Sequence, residues 1–397
     1  MIYLDHAATT PLHPQVLDAM LPFFGARFGN PSSLHHLGRD AKFALERARE
    51  EVAQLLNARP SEIIFNSGAT EGNNHALKGV AAQLRGKGRH ILASNIEHDA
   101  VLHPLGSLGK EGFEVEFLPV DSDGILQLDA LERAIRPDTI LVSLMHANNE
   151  LGTIQPVAQA AKTCRERGVW LHVDACQTVG HIPVDVVSLG CDLLTLSAHK
   201  FYGPKGAGAL WVRRGVRLET LVEGGHQQKG RRAGTENVAG IVGMGAACVL
   251  ARAALDGGQE REVARLRDEF IARVLGEVEG AFLNGHPENR VPGIANFSFA
   301  GIEGEGLILE LDAKLGVCAS TGSACAAGSL DPSPVLLAIG RDVGLARAGT
   351  RFSLGRGTTD EEIDAVMREL PRVVEELRAL NPNAREALVG GRTDNAG

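Results

Sequence analysis

Lys200 is the residue around which a chemical reading of this sequence gathers. It stands in Ser197-Ala198-His199-Lys200-Phe201-Tyr202-Gly203, after the apolar run 191–196 and before a second run, 208–212. Runs of this kind read as buried strands. At the end of a buried strand, desolvation lowers the pKa of an ammonium group, and the free amine can form a Schiff base with a carbonyl compound. Alone the residue says little, because most lysines are solvated surface groups. Other reactive or hydrogen-bonding side chains follow runs of the same type: Thr70 after 63–65, His98 after 90–94, Asn149 after 139–145, and Asp174 with Gln177 at and beyond the end of 169–175. Ser67-Gly68-Ala69-Thr70 lies between a strand and a helix start, where free backbone N–H groups and the helix dipole favour an anion. The same residues also read as an ordinary helix start capped by Ser67 or Thr70. Neither a Walker A loop nor Gly-x-Gly-x-x-Gly is present, so a nucleotide site has no motif behind it.

These side chains converge only if the strands that carry them lie side by side. Strand patterns at 63–65, 90–94, 114–120, 139–145, 169–175, 191–196 and 208–212 alternate with helical spacing at 128–135 and 157–167. Helical spacing also precedes and interrupts them at 14–24, at 38–56 and in the run ending at 84. Alternation with short connections predicts an α/β protein with a doubly wound parallel sheet, whose ligands sit at the C-terminal ends of the strands. The pattern changes after Trp211. A polar loop over 223–235 leads to an apolar helix at 238–254 and a charged one at 259–277. Strands at 296–299 and 350–354, with helices starting at 304 and covering 359–380, predict a smaller α+β unit.

At 397 residues the chain is long enough for two domains. A net charge of −9 without a basic block argues against nucleic acid as a partner. No stretch approaches the uninterrupted apolar length of a membrane span, and the N-terminus lacks a secretory pattern. The six cysteines contain no Cys-x-x-Cys pair, which argues against structural zinc or a disulfide framework and for a reducing cytoplasm. No metal is expected.

The sequence resembles the cysteine desulfurases of the IscS/NifS type, within the class V aminotransferases of fold-type I. The matching stretches include Tyr3-Leu4-Asp5, Phe28-Gly29-Asn30-Pro31-Ser32, Ser67-Gly68-Ala69-Thr70-Glu71, Glu97-His98 and His146-Ala147-Asn148-Asn149-Glu150. They continue through His172-Val173-Asp174-Ala175-Cys176-Gln177, Ser197-Ala198-His199-Lys200, Arg232-Ala233-Gly234-Thr235, Ser323-Ala324-Cys325 and Arg351-Phe352-Ser353-Leu354. The resemblance implies a pyridoxal-phosphate transferase fold, with a mainly parallel seven-stranded sheet in a large domain (14–260). A smaller α+β domain (1–13 and 261–385) would carry the catalytic cysteine loop, and 386–397 would be a disordered tail.

Position by position, the resemblance implies the following roles. Lys200 would hold pyridoxal 5′-phosphate and move protons. Asp174 would pair with the ring nitrogen, His98 would stack on the ring and act as acid or base, and Gln177 would bond the phenolic oxygen. Ala69, Thr70, Ser197 and His199 would hold the phosphate, completed by Thr235 from a second subunit of a homodimer. Arg351 would clamp the substrate carboxylate, with Asn149 beside it. Cys325 would take sulfur from L-cysteine as a persulfide, releasing L-alanine and passing the sulfur to an iron–sulfur scaffold or another acceptor. A selenocysteine lyase or an aminotransferase on the same fold is the alternative. A small apolar filler is the plain reading of Cys325 by composition, since cysteine is often buried. Departures from the pattern occur at Cys176, where threonine is frequent, and at His226, Gln228 and Lys229 in the polar loop.

Overall fold

The structure is a computed structural model that describes residues 1–321, 331–382, 384 and 388. In chain order the elements are β1 (Ile2–Tyr3), α1 (Pro14–Met20), α2 (His36–Leu55), β2 (Ile63–Asn66), α3 (Ala69–Leu84), β3 (His90–Ser94), α4 (Asp99–Lys110), β4 (Glu114–Leu118) and α5 (Leu128–Ala134). Next come β5 (Thr139–Met145), α6 (Val157–Glu166), β6 (Trp170–Asp174), α7 (Val186–Leu189), β7 (Leu193–Ser197), β8 (Gly208–Val212), α8 (Val238–Asp256) and α9 (Gln259–Glu277). The last are β9 (Ala281–Asn284), β10 (Ile294–Phe299), α10 (Gly304–Leu315), β11 (Val317–Cys318), α11 (Pro334–Ala338), α12 (Val343–Arg347), β12 (Gly349–Ser353) and α13 (Asp360–Leu380).

The central sheet has seven strands in the order β2-β8-β7-β6-β5-β3-β4. From β7 to β4 every pair is parallel, and β8 runs antiparallel to both of its neighbours. Helices cover both faces, so the inner strands have no solvent side. That is why β5 and β7 read as unbroken apolar runs: every residue of both is buried. The parallel strands β3, β5, β6 and β7 all end at the same edge. Residues that follow them in sequence, far apart along the chain, are thereby gathered in space.

A second apolar cluster forms around the antiparallel sheet β12-β10-β9. Phe270 of α9 meets Phe297 and Phe352 edge-on, with ring centres 5.8 and 5.3 Å apart. Ile2 and Leu4 belong to this cluster, because β1 pairs with β11 in parallel.

Some elements depart from the sequence reading. The helix expected over 14–24 is α1 followed by a tighter turn over Leu21–Phe24, where Pro22 lacks the N–H that would continue it. Helix α4 is an addition; Pro104 lies inside it and interrupts the pattern that would have marked it. Helix α8, with a mean hydropathy of 1.9 over its most apolar window, is long and apolar enough to cross a membrane by composition. Here it is a core helix. Ile241, Met244, Ala247, Cys248 and Ala251 are buried, and its neighbours include α1 and α2.

Gly245 sets how closely α8 approaches α2: a Cβ there would lie 2.8 Å from Ala48 Cα. Backbone on the far side cannot yield, so Gly245→Leu must push the helices apart. Overpacking of this kind costs about 1–3 kcal/mol. A lowered thermal midpoint is expected by differential scanning calorimetry; an unchanged midpoint would show that the contact is not tight.

Candidate active site

A cavity of about 670 Å³ opens at the C-terminal ends of β3, β5, β6 and β7, within the range of small-molecule sites. Ala69, Thr70, His98, Asn149, Asp174, Gln177, Ser197, His199, Lys200 and Arg351 all line it. The sequence-derived candidates therefore converge, with two exceptions. Thr235 is exposed and absent from the lining. It follows Arg232, which pairs with Glu71 at 2.7 Å. Cys325 lies outside the described residues.

Lys200 closes a 3-10 turn, Ala198–Lys200, at the end of β7. Its Nζ donates to Ala7 O at 2.6 Å and to Ala8 O at 2.9 Å. Burial lowers its pKa and the charge of Arg351 adds to this, so the amine gives up its proton more readily than a surface lysine. Beside it, His199 Nδ1 lies 3.1 Å from Thr9 Oγ1. Burial and the charges of Lys200 and Lys205 bring the His199 ring down to about 4.

Asp174 ends β6. Its Oδ2 accepts from Asn73 Nδ2 at 2.6 Å, and its Oδ1 from the Cys176 N–H at 3.0 Å. Asn73 is fully buried in α3, and its own Oδ1 has no hydrogen-bond partner. The sequence reading did not single out Asn73. Its one signal is position: it stands one helical turn past Thr70, on a helix that starts at the cavity. Burial and the neighbouring Asp174 push the Cys176 thiol well above its ordinary range, which makes it a poor nucleophile at this second thiol position. Gln177 Nε2 donates to Ala7 O at 3.1 Å.

The start of α3 is not capped by Ser67 or Thr70. Gly68 is the cap residue, at φ 147°, and has no side chain to offer the first-turn N–H groups; its own N–H goes to Asn66 Oδ1 at 3.0 Å and that of Ser67 to Glu71 Oε2 at 2.9 Å. Glycine is required at two facing positions, Gly68 by conformation and Gly208 by space. The conformation is one that L side chains rarely adopt, and a Cβ on the facing Gly208 would lie 2.6 Å from Gly68 Cα. The first-turn N–H groups have no intrahelical acceptors, and Ser197, which shares the cavity wall, has its Oγ 3.6 Å from where a Gly68 Cβ would stand. Together these make a cup for an anion.

Arg351 lies on β12 with its side chain only 3% exposed. Its Nη1 donates to Asn149 O at 2.7 Å and its Nη2 to Asp5 Oδ1 at 2.9 Å, while Nε has no partner. His98 caps α4, with Nδ1 accepting the Ala100 N–H at 3.0 Å. That leaves Nε2 as the ring's protonated nitrogen when the ring is neutral.

Glu97 also lines the cavity. Its Oε1 accepts from Ser94 Oγ at 2.5 Å and from the Met145 N–H at 2.9 Å, and its buried Oε2 has no partner. Burial raises its carboxyl to about 8, the nearby Asp174 charge adds to the rise, and the two hydrogen bonds only partly offset it. Glu97 is thus a neutral acid at pH 7. A carboxyl raised in the folded state contributes stability that is complete below the unfolded value, near 4.5, and is lost as pH rises through about 8. Glu97→Gln removes this titration. The thermal midpoint of the wild type should therefore fall relative to Glu97→Gln as pH rises from 5 to 8.5; a constant difference would show that Glu97 titrates normally.

The class-V aminotransferase family profile matches residues 2–366. The cysteine desulfurase IscS of Dictyoglomus turgidum is 52% identical over 385 residues, covering 97% of each chain. Among solved structures, a NifS-like protein aligns with a TM-score of 0.88 at 38% identity, over 95% of this chain and 100% of that one. SspA, solved in complex with cysteine, aligns with a TM-score of 0.79 at 35% identity, over 90% of this chain and 100% of that one. The match runs through the sheet, the cavity and the second cluster alike, and the chain belongs to the class-V aminotransferase family of fold-type I.

Proposed function

We infer that this chain is a pyridoxal-phosphate-dependent cysteine desulfurase that converts L-cysteine into L-alanine and transfers the sulfur to its own Cys325. The observation that carries this reading is the meeting in one cavity of a lysine with a lowered pKa, a buried carboxylate, an uncapped helix start and a buried arginine. Relatives named cysteine desulfurase and a structural neighbour solved with cysteine support the substrate.

The donor set suits the cofactor. Lys200 offers an amine for its aldehyde. Asp174 holds only neutral donors, Asn73 and the Cys176 N–H, so its charge is available to a ring-nitrogen cation. Ala69, Thr70, Ser197 and His199 surround the anion cup. Bound there, pyridoxal phosphate supplies an electron sink for the substrate's α-carbon.

The side chains divide the remaining work. Arg351 holds the substrate carboxylate, and its guanidinium fork is the geometry a carboxylate fits. Asn149 fixes Nη1 of that fork through its carbonyl. Lys200 takes the α-proton and returns it, which a lowered pKa favours near neutrality. His98 serves as a second acid–base group on the α4 side of the cavity, and Gln177 fixes the cofactor's phenolic oxygen. The Cys325 thiolate attacks the substrate sulfur; the carbon–sulfur bond breaks, and its electron pair stays with the carbon skeleton that becomes alanine. The sulfur, now a persulfide on Cys325, passes to an acceptor protein of iron–sulfur cluster assembly.

The enzyme works as a cytoplasmic homodimer in this reading. Thr235 is exposed and outside its own cavity, which leaves it free to complete the anion cup of a second copy in this reading. Phe24, Phe28, Leu34 and Phe43 add to it, each more than half exposed within one short segment. The division into residues 14–260 and residues 1–13 with 261–385 is part of the same proposal.

With L-cysteine and a thiol reductant, the purified protein should yield alanine and sulfide in equal amounts. Cys325→Ala should yield neither. Pyruvate as product, or an active Cys325→Ala protein, would overturn the role given to Cys325. Asn73→Leu leaves Asp174 with only the N–H and thiol of Cys176 as donors. It should weaken cofactor binding about 10- to 150-fold, the range for losing a hydrogen bond to a buried charged group, as read by equilibrium dialysis of pyridoxal phosphate.

A further inference from the structure

Outside the cavity lining, His181, Glu260 and Arg356 form a connected polar chain that ends on the backbone of Lys200. His181 Nε2 lies 2.8 Å from the Lys200 carbonyl oxygen. A carbonyl oxygen only accepts, so Nε2 carries the proton and donates. Nδ1 of the same ring lies 3.2 Å from Glu260 Oε2. The other oxygen of Glu260 accepts from Arg356 Nε at 2.6 Å. Arg356 then turns back on the lysine turn from its other side. Its Nη2 donates to Gly180 O at 2.7 Å, its backbone N–H donates to Tyr202 Oη at 2.7 Å, and its guanidinium carbon sits 4.8 Å from the centre of the Tyr202 ring.

The members come from distant parts of the sequence. His181 follows β6, Glu260 opens α9, and Arg356 follows β12. Glu260 is 6% exposed and Arg356 13%. Burial would raise the Glu260 carboxyl, but His181 and Arg356 outweigh it and hold the group below its ordinary range. Removing either neighbour would leave a buried charge short of a partner. The packing around the chain leaves no slack. A Cβ on Gly180 would lie 2.6 Å from Phe201 Cβ, and one on Gly355 would lie 2.4 Å from the His6 ring.

The object held is a strained turn. Tyr202, next but one after Lys200, has φ 66°, in the left-handed region. A bulky residue stays there only where its surroundings over-determine it. Thr10 Oγ1 accepts the Tyr202 N–H at 2.7 Å on one side, and Arg356 engages the Tyr202 hydroxyl and ring on the other.

We propose that His181, Glu260 and Arg356 are positioning residues for Lys200: together they fix the backbone of the lysine turn and so the place where its amine meets the reacting carbon. The proposal rests on the reading that Lys200 holds the cofactor and moves the α-proton. None of the three touches substrate or cofactor, so their loss acts on the chemical step and not on substrate capture.

The test uses the full-length holoenzyme with His181→Asn, Glu260→Gln and the double variant. Each single variant should lower kcat about 10-fold, the loss expected for one charge-assisted hydrogen bond, with KM for L-cysteine little changed. The circular dichroism of the bound cofactor, which reports its orientation, should change in both. The double variant should be no slower than the worse single one, because both cut the same chain. Full kcat with an unaltered cofactor signal, even at a lowered thermal midpoint, would reduce the chain to structural support and overturn the proposal. Independent, multiplying losses would do the same. His181 is the more exposed member, so His181→Asn gives the decisive data if Glu260→Gln does not fold. Lys200→Ala separates this proposal from its premise. If that protein still turns over L-cysteine, the role of Lys200 fails and the chain has nothing to position. If it is inert while the chain variants match wild type, only the positioning proposal fails.

Discussion

The buried carboxylate of Asp174 is the constraint on which the rest of this structure depends. It lies at the floor of the cavity, 7% exposed, and among the described residues no cation pairs with it. A charge in that position is tolerated only if neutral donors surround it. Here they are the Asn73 amide and the Cys176 N–H. Asn73 reaches the carboxylate only because α3 lies almost against the sheet, and Gly72 permits that approach: a Cβ there would stand 2.7 Å from Thr195 Cγ2. The same approach brings the open start of α3 over Gly208 and beside Ser197. The anion cup and the carboxylate floor are therefore consequences of one helix position.

Around that carboxylate, the environment assigns each acid and base its state. Glu97 and Asp174 share a cavity wall, yet they differ in donors. Asp174 takes an amide and a backbone N–H without opposition, whereas Glu97 leaves one oxygen unpartnered and feels the charge of Asp174. Two like charges in one dry site do not both persist, and Glu97, deeply buried with both of its donors on one oxygen, keeps its proton. Lys200 is displaced in the complementary direction, because burial and Arg351 both disfavour its ammonium form. Cys176 is silenced as Glu97 is, by burial first and by the charge of Asp174 in addition. Among the described residues Cys176 is the one thiol lining the cavity, so that lining offers no reactive thiol.

Much of this was legible in the sequence, and the reason is the sheet. Strands buried on both faces are largely apolar, so the parallel Thr139–Met145 and His90–Ser94 and the antiparallel Gly208–Val212 announce themselves with their true limits. Chemistry placed at strand ends then converges by topology alone, which is how Asp174, His98, Asn149 and Lys200 could be grouped before any coordinates. What stayed hidden follows from tertiary geometry. Asn73 is a polar residue on a helix, a pattern that reads as solvated surface, and only the close approach of α3 makes it a buried partner. The cap at Gly68 was hidden because Ser67 and Thr70 are better capping residues by type. Their side chains do not cap the helix, and the turn is held instead by Asn66 and Glu71, which accept the Gly68 and Ser67 N–H groups. Helix α4 was masked by Pro104, which stands in its middle, where a proline removes an intrahelical hydrogen bond and reads in sequence as a break.

The backbone of residues 5–10 was the least legible part, because carbonyl oxygens carry no sequence signature. Yet this segment joins the two halves of the proposed chemistry. Ala7 and Ala8 hold the Lys200 amine, Ala7 also holds Gln177, Thr9 meets His199, and Asp5 pairs with Arg351. Its preceding residues Ile2 and Leu4 are locked into the cluster around β12, and Ser353 of that strand receives the Ala7 N–H at 2.9 Å. The segment therefore spans from the strand that carries Arg351 to the turn that carries Lys200 and ties both down. In the proposed reaction Arg351 takes the substrate's carboxylate while Lys200 works at the adjacent carbon. That reaction requires the two groups to be held at the spacing of one α-amino acid. A strap of backbone fixed at both ends holds that spacing without depending on any one side chain, and substrates in which the carboxylate is set further from the reacting carbon would meet one group or the other, but not both.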